Sequence, residues 1–205
     1  MTTLLLVHGG LWEAGMDADR FWGQPGIVAG LQKRGFEVLA PDRPHQAPDW
    51  AAEASHLASV LPVRPVTVLA GSNGCSAAMR LALDFPGAVA ALLLAWPATA
   101  KDPAVDAHDR RRLAELGAPD EVIGALLGGQ TLRGLTDEEL AGLPMPIGVV
   151  PSALANAFHQ RHSVDSLLRL VPRAVELPGC PESPRPEFPP YLESFVNGVA
   201  AFAEP

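Results

Sequence analysis

Three side chains that could do chemistry lie close together in a turn between a strand and a helix. The segment Val68–Ala78 runs from an apolar strand through Gly71-Ser72-Asn73-Gly74-Cys75 into a helix of small residues. The thiol of Cys75 falls in the first helical turn, where a helix N-terminus can lower a thiol pKa. A small residue is also required there for packing against the strand, and we favour that structural role for Cys75.

The other groups that could bind a metal or a cofactor are dispersed along the chain. Cys75 and Cys180 form no CxxC pair and no disulfide framework. A disulfide between them is disfavoured in a reducing compartment. No cluster of His, Cys, Asp and Glu has the spacing of metal ligands, and no glycine cluster follows a strand with the spacing GxGxxG. We therefore predict no metal and no cofactor.

Short apolar runs alternate with longer segments of helical character. The predicted strands are Leu4–Val7, Glu37–Ala40, Val66–Ala70, Ala90–Ala95, Ile147–Val150 and Ala174–Leu177. The predicted helices lie near Phe21–Arg34, Asp49–Val60, Gly74–Asp84, Ala157–Leu170 and Pro190–Ala203. Several strands are continuously apolar, as in parallel sheets that are covered on both faces. The pattern predicts an α/β fold with a parallel sheet, right-handed crossovers and helices on both faces.

One connection departs from this alternation. Between Pro97 and Pro144 no strand is predicted, and three short helices are expected instead. They are Val105–Leu116, Pro119–Leu127 and Thr136–Leu143. Thr136 followed three residues later by Glu139 has the pattern of a capping box. We interpret residues 1–205 as a single domain in which residues 97–144 form a small helical excursion, or cap, at one edge of the site.

Composition argues against several classes of partner. The chain has 15 Lys and Arg residues against 23 Asp and Glu residues, a net charge of −8, without a long basic run. This charge disfavours binding to nucleic acid or to an anionic membrane surface. No apolar run is long enough for a membrane span or a signal peptide. We expect a cytoplasmic protein whose partner is a small molecule, and a homodimer is compatible with these features.

Three segments, in chain order, resemble the α/β-hydrolase superfamily. The first is the strand Leu4–Val7 followed by His8-Gly9-Gly10, a turn that supplies a backbone N–H to the oxyanion hole in that superfamily. The second is Phe36–Arg43, a strand that runs into a Pro-Asp turn. The third is Val68–Ala78, which resembles the strand, nucleophile elbow and following helix. The resemblance implies a three-layer α/β-hydrolase-like sandwich of six parallel strands in the spatial order 2-1-3-4-5-6.

The same resemblance implies that the catalytic triad is replaced. Aligning the elbow Gly71–Cys75 with the superfamily pattern puts Asn73 at the position of the nucleophile. The acid is expected after Ile147–Val150, but residues 151–156 contain no carboxylate. The histidine is expected after the last strand, where Glu182 stands instead. All three triad positions are thus predicted to be altered.

Three residues are the candidates for the reacting groups. Asn73 either keeps the elbow in a positive-φ conformation, which asparagine tolerates, or binds a ligand with its amide beside the oxyanion hole. Deamidation of Asn73, which precedes Gly74, would create an aspartate nucleophile. Ser72 is the nucleophile only if the motif is shifted by one residue, and otherwise forms hydrogen bonds with its neighbours. Glu182 is either a general acid or base whose pKa is raised by an apolar environment, or a solvated loop carboxylate.

The ligand pocket is expected at the carboxyl edge of the sheet, where open α/β folds bind ligands. Its oxyanion-binding part is expected to comprise Gly9, Gly10 and Gly74. Its apolar wall is expected to comprise Leu11, Trp12, Trp96 and Leu154. Such a wall suits a small hydrophobic or aromatic molecule.

The histidines receive no catalytic role from the sequence. His8 is assigned a structural role in the turn after the first strand, and His45 a place near the rim of the site. His159 and His162 follow the position expected for the acid, and we predict that both lie on a solvent-exposed helix.

These observations favour a protein that acts on or binds a small hydrophobic organic molecule through a retained oxyanion hole. The leading hypothesis is non-covalent lyase, isomerase or cyclase chemistry, because an asparagine cannot form the acyl intermediate that a serine forms. One alternative is a non-catalytic ligand-binding protein. Another is an esterase-like hydrolase with a rearranged triad that uses Ser72, or deamidated Asn73, together with Glu182.

Overall fold

A parallel sheet forms the centre of the molecule. The computed structural model describes residues 2–204. Its strands are β1 (Thr3–Val7), β2 (Glu37–Leu39), β3 (Val66–Gly71), β4 (Val89–Ala95), β5 (Ile147–Val150) and β6 (Ala174–Glu176). All are parallel and lie in the order β2-β1-β3-β4-β5-β6, which confirms the predicted spatial order. The carboxyl ends of the strands therefore meet at one edge of the sheet.

Eight α-helices follow or connect the strands within the described residues. They are α1 (Ile27–Lys33), α2 (Trp50–Ser59), α3 (Gly74–Asp84), α4 (Pro103–Glu115), α5 (Asp120–Leu127), α6 (Asp137–Ala141), α7 (Arg161–Leu170) and α8 (Leu192–Ala203). A π-helical turn at Asp19–Gly23 and a 3-10 turn at Pro189–Tyr191 precede α1 and α8. Helices α4, α5 and α6 lie between β4 and β5, where the sequence predicts three helices. Thr136 and Glu139 form the predicted capping box at the start of α6.

Apolar side chains cover both faces of the sheet. Successive residues of a strand point to opposite faces, and every residue of β1 is buried. One core cluster joins Leu5 and Val7 to side chains of α2, α3 and α7. The other joins Leu4 and Leu6 to side chains of α1 and α8. Burial on both faces is the reason that the strands are continuous apolar runs in the sequence.

The helix predicted to include His159 starts later than expected. The side-chain oxygen of Asn156 accepts a hydrogen bond from the Phe158 N–H at 2.9 Å, which holds the chain in a turn. Helix α7 therefore begins at Arg161. This leaves His159 in a loop at the carboxyl edge of the sheet.

Two kinds of feature do not occur in the part of the chain that the structure describes. No helix there has both the length and the apolar composition that crossing a membrane requires. No three His, Cys, Asp or Glu side chains of residues 2–204 are grouped so that they could hold a metal ion.

Candidate active site

Ser72 occupies the apex of the turn between β3 and α3. Its backbone φ is +53°, the conformation expected for the nucleophile of an elbow, and its N–H donates to the Ala95 carbonyl at 3.0 Å. Asn73 has a φ of −62° and ordinary right-handed helical backbone. The prediction that Asn73 takes the positive-φ position of this turn is therefore wrong, because Ser72, one residue earlier, takes it.

A close backbone approach explains this register. A Cβ atom at Gly74 would lie 2.5 Å from the His8 carbonyl oxygen and 2.6 Å from that of Val7. Only glycine fits at this crossing of the elbow and the end of β1. Ala70 and Gly74, each two residues from Ser72, are thus the small residues that the turn requires. Gly74 shapes the site by this steric fit.

His159 lies against the Ser72 hydroxyl. Its Nε2 atom is 2.8 Å from Ser72 Oγ, a distance that suits proton transfer from the hydroxyl to the imidazole. The His159 side chain is only 12% exposed. The prediction of a solvent-exposed helical histidine is therefore wrong for His159, although it holds for His162 on α7.

Thr99 fixes the His159 loop on both sides. The Thr99 N–H donates to the Phe158 carbonyl at 2.8 Å, and the Gln160 N–H donates to Thr99 Oγ1 at 2.9 Å. Thr99 is buried, and its own carbonyl accepts hydrogen bonds from the buried Arg133 guanidinium. The segment after β4 thus sets the position of the imidazole.

Glu182 contacts the second nitrogen of the same imidazole. Its Oε1 atom is 2.8 Å from His159 Nδ1 and accepts a hydrogen bond from Asn156 Nδ2 at 2.8 Å. Arg185 Nε lies 3.1 Å from the other carboxylate oxygen. Burial by itself would raise the pKa of Glu182, but the hydrogen bonds from His159, from the backbone and from Asn156 outweigh burial and lower the pKa to about 2. Glu182 is therefore a buried, ionised carboxylate, and the prediction of a raised pKa is wrong.

Trp96 anchors the loop that carries Glu182. Its indole N–H donates to the Cys180 carbonyl at 2.8 Å, and Cys180 also bonds through its backbone to Pro151 and Ala153 in the loop after β5. The Trp96 ring is fully buried among other aromatic side chains. The prediction that Trp96 lines the ligand pocket is therefore wrong, because it packs in the core and ties two site loops together.

Residues of two loops lie beside Ser72 and have backbone N–H groups without a protein acceptor among the described residues. Gly10, Leu11 and Asn73 line the same cavity as Ser72. Within residues 2–204, the N–H groups of Gly10, Leu11 and Asn73 donate to no other protein group. In α/β-hydrolases, backbone donors at these two positions form the oxyanion hole. Gly9 does not line this cavity, but a Cβ atom there would lie 2.9 Å from Ser72 Cβ, so its lack of a side chain also shapes the site.

Ser72 opens into a cavity of about 380 Å³. The apolar part of its wall is formed by Leu11, Met16, Phe21, Phe158 and Pro184. Its charged and polar rim is formed by Glu13, His108, Asp109, Arg112 and Arg185. Trp12 lines a neighbouring cavity and donates from its indole to the Ala47 carbonyl, and Leu154 lines neither cavity. Only Leu11 of the predicted apolar wall therefore contributes to the cavity at Ser72.

The cavity at Ser72 is not lined by His8, His45 or either cysteine. His8 is buried, and its pKa is lowered by burial and by the charge of Arg43. His45 lines the neighbouring cavity. Cys75 and Cys180 are free, buried thiols, and burial raises the pKa of both, that of Cys180 to about 12. Neither thiol is activated.

Comparison with known proteins gives the fold. No protein-family model matches the chain, and no curated protein matches its sequence. A putative non-heme bromoperoxidase, BpoC, from Mycobacterium tuberculosis is similar in structure, with a TM-score of 0.73 and 13% identity over 98% of this chain and 93% of that chain. The meta-cleavage product hydrolase CumD from Pseudomonas fluorescens has a TM-score of 0.72 and 16% identity over 98% and 90%. A thermophilic esterase from Thermogutta terrifontis has a TM-score of 0.67 and 18% identity over 100% and 91%. This chain has the α/β-hydrolase fold.

Compared with the usual order in the α/β-hydrolase fold, a histidine and a carboxylate stand in exchanged loops of this chain. The usual chain order is nucleophile, acid, histidine. Here Ser72 follows β3, His159 follows β5 and Glu182 follows β6, which gives the order serine, histidine, glutamate. The prediction that all three triad positions are altered did not pair His159 with Glu182. The signal that they are complementary was already in the sequence, because a histidine stands in the loop of the acid and a carboxylate in the loop of the histidine.

Proposed function

We propose that this protein is a serine hydrolase that cleaves esters of small carboxylic acids. The observation that carries the proposal is the continuous array from Ser72 Oγ to His159 Nε2 and from His159 Nδ1 to Glu182 Oε1, with 2.8 Å at each contact. A serine at a positive-φ elbow, a base within hydrogen-bond reach and an acid that orients the base are the parts that acyl transfer requires. The three side chains already make these contacts in the structure, so the chain need not rearrange to form the array.

The chemistry follows from these contacts. As Ser72 Oγ attacks the acyl carbon, its proton passes to His159 Nε2, and the ionised Glu182 stabilises the imidazolium that forms. The N–H groups of Asn73 and of the loop at Gly10 stabilise the oxyanion of the tetrahedral intermediate. His159 then gives the proton to the leaving alcohol oxygen. In the second half, His159 takes a proton from water, the hydroxide attacks the acyl-serine, and Ser72 recovers its proton.

The cavity supports a small ester as substrate. A volume of about 380 Å³ lies at the lower end of the range for small-molecule sites, and the wall beside Ser72 is mainly aliphatic and aromatic. The rim carries charges of both signs, Glu13 and Asp109 beside Arg112 and Arg185, and is suited to a polar end of the substrate. We therefore expect short acyl chains to be cleaved faster than long ones.

Activated esters and an active-site probe test the proposal. We expect the wild-type protein to hydrolyse p-nitrophenyl acetate and butyrate, and a fluorophosphonate to label Ser72, identified by peptide mass spectrometry. Ser72→Ala and His159→Ala should each lower kcat by about 10³-fold or more. His162→Ala, at an exposed histidine on α7, is the matched control and should retain activity. Turnover that persists in Ser72→Ala, or a folded wild-type protein in which Ser72 is not labelled, would contradict a serine hydrolase and favour the non-covalent or ligand-binding alternatives.

A further inference from the structure

The guanidinium group of Arg43 binds the backbone of the turn after β1. Arg43 Nη1 donates to three consecutive carbonyl oxygens, at 3.0 Å to His8, 3.2 Å to Gly9 and 2.8 Å to Gly10. The backbone N–H of Arg43 also donates to His8 Nε2 at 2.9 Å. Since that nitrogen accepts, the ring proton is on Nδ1, which donates to the Gly9 carbonyl at 2.7 Å.

These contacts determine where the amides of the turn point. In a trans peptide the N–H is directed opposite to the preceding carbonyl, and every described peptide bond of the chain is trans. When Arg43 holds the carbonyls of Gly9 and Gly10, the N–H groups of Gly10 and Leu11 point away from Arg43. Those two residues line the cavity beside Ser72.

Glu53 holds the guanidinium in place. Its two carboxylate oxygens accept from Arg43 Nε and Nη2, each at 2.7 Å. Both side chains are only 4% exposed. A bidentate pair of this kind fixes the plane and direction of the guanidinium, so Nη1 remains directed at the three carbonyls. The pair is desolvated, and burial of two charges adds little to net stability compared with well-packed apolar side chains.

From this geometry we infer that Arg43, fixed by Glu53, is a positioning residue of the oxyanion hole. It contacts no reacting atom, but it sets the direction of the Gly10 and Leu11 N–H groups toward the oxygen of the bound acyl group. The inference rests on the proposed serine hydrolase function. Without the Arg43 side chain, the Gly9–Gly10 peptide, the Gly10–Leu11 peptide or both rotate, so that a carbonyl faces the oxyanion. Stabilisation of the tetrahedral intermediate is then lost, while substrate binding remains.

The double variant Arg43→Met/Glu53→Met is the main test, because removing only one partner leaves a buried charge unpaired. We expect kcat for p-nitrophenyl butyrate to fall by about 100-fold, the loss typical of one oxyanion-hole donor, with KM nearly unchanged. Affinity for a trifluoromethyl ketone, which forms an oxyanion when Ser72 adds to it, should fall by the same factor. Arg64→Met, at an exposed ion pair with Glu37, is the matched control and should change neither value.

A crystal structure of the double variant supplies a readout that does not depend on activity. We expect the Gly9–Gly10 or the Gly10–Leu11 peptide to be rotated. A folded double variant with wild-type kcat, or with both peptides unrotated, would overturn the inference. If the double variant does not fold, Arg43→Lys, which keeps the charge but not the bidentate geometry, takes its place, and an unchanged kcat would overturn the inference in the same way. An inactive, unlabelled wild-type protein would instead contradict the proposed hydrolase function, and the peptide orientation would still decide the role of Arg43.

Discussion

Glu182 is a buried carboxylate whose charge is retained by its hydrogen bonds. His159 and Asn156 both contact the same oxygen, Oε1, and the resulting pKa is about 2. In the proposed mechanism this carboxylate orients the imidazole and stabilises its charged form. In that mechanism, a glutamate that follows β6 does what an acid that follows β5 does in the usual chain order.

Replacement of this carboxylate is expected to slow the acyl transfer step. Glu182→Gln keeps the size of the side chain but presents a neutral amide to His159, which disfavours the imidazolium. We expect kcat to fall by about 10²- to 10⁴-fold with a small change in KM, as for other triad acids. The measurement is steady-state hydrolysis of p-nitrophenyl butyrate. Glu182→Asp, which keeps the charge on a shorter side chain, should lose less, and equal activity of Glu182→Gln and wild type would exclude Glu182 from the mechanism.

The same carboxylate makes stability depend on pH in the acid range. The folded-state pKa of Glu182, about 2, is below its ordinary value of 4.5, so the carboxylate stabilises the folded state above about pH 4.5 and the contribution is lost as pH falls toward 2. This linkage amounts to at most about 3 kcal/mol. We expect the free energy of unfolding of wild type to exceed that of Glu182→Gln at pH 7, and the difference to shrink between pH 5 and pH 3. Urea unfolding at a series of pH values measures it, and a difference that is constant with pH would contradict the assignment.

At the scale of elements, the loops after β4, β5 and β6 form one hydrogen-bonded unit. Thr99 after β4 holds the loop of His159, and Trp96 at the end of β4 holds the loop of Glu182. Parallel strands bring these loops to the same edge of the sheet. His159 and Glu182 thus meet because their loops are hydrogen-bonded to the end of β4 and to the segment after it.

Thr99→Val is expected to disturb this unit with little change in shape. Valine retains the volume and the backbone contacts of Thr99 but leaves the Gln160 N–H without its acceptor, Oγ1. We expect the free energy of unfolding to fall by about 1–2 kcal/mol. We also expect kcat to fall by about tenfold or more, because a small displacement of His159 slows proton transfer from Ser72. Thr99→Ser retains the acceptor and should restore activity. If Thr99→Val loses stability but retains wild-type kcat, Thr99 has a structural role only.

The elements themselves could be predicted from the sequence, but the register of the elbow could not. The strands are apolar runs between turn residues, and α3 begins and ends at the predicted residues, Gly74 and Asp84. At the elbow, small residues flank both Ser72 and Asn73, so the sequence alone permits either register. The close approach of Gly74 to the His8 carbonyl, which decides between them, is a contact between distant parts of the chain.

The position of His159 was missed for a similar reason. The helical sequence pattern extends to residues before α7, but the Asn156 side chain accepts from the Phe158 N–H, and the helix starts only at Arg161. The bonds to Thr99, which bring the loop to the site, span a large separation in sequence. A prediction that paired the misplaced histidine with the misplaced carboxylate would have found the site without that information.

At the scale of the whole molecule, the sheet separates two cores that must form together. Cys75 is buried in the cluster on one face and Cys180 in the cluster on the other. Both are free thiols with raised pKa values. Because the strands contribute alternate residues to each cluster, neither face can lose its packing while the other retains the same sheet. The two thiols therefore report on the two faces separately.

Thiol labelling is expected to show that both faces unfold as one unit. In the folded protein, neither Cys75 nor Cys180 should react rapidly with a thiol reagent, since both are buried and largely protonated. We expect both to become reactive with the same dependence on urea, which is the behaviour of a two-state domain. Pulse labelling followed by peptide mass spectrometry measures each site, with Cys75→Ala and Cys180→Ala as single-thiol controls. Labelling of Cys180 that is independent of urea, with Cys75 still protected, would contradict this cooperativity. It would mean that the loop carrying Glu182 opens on its own, and that the proposed triad is assembled only part of the time.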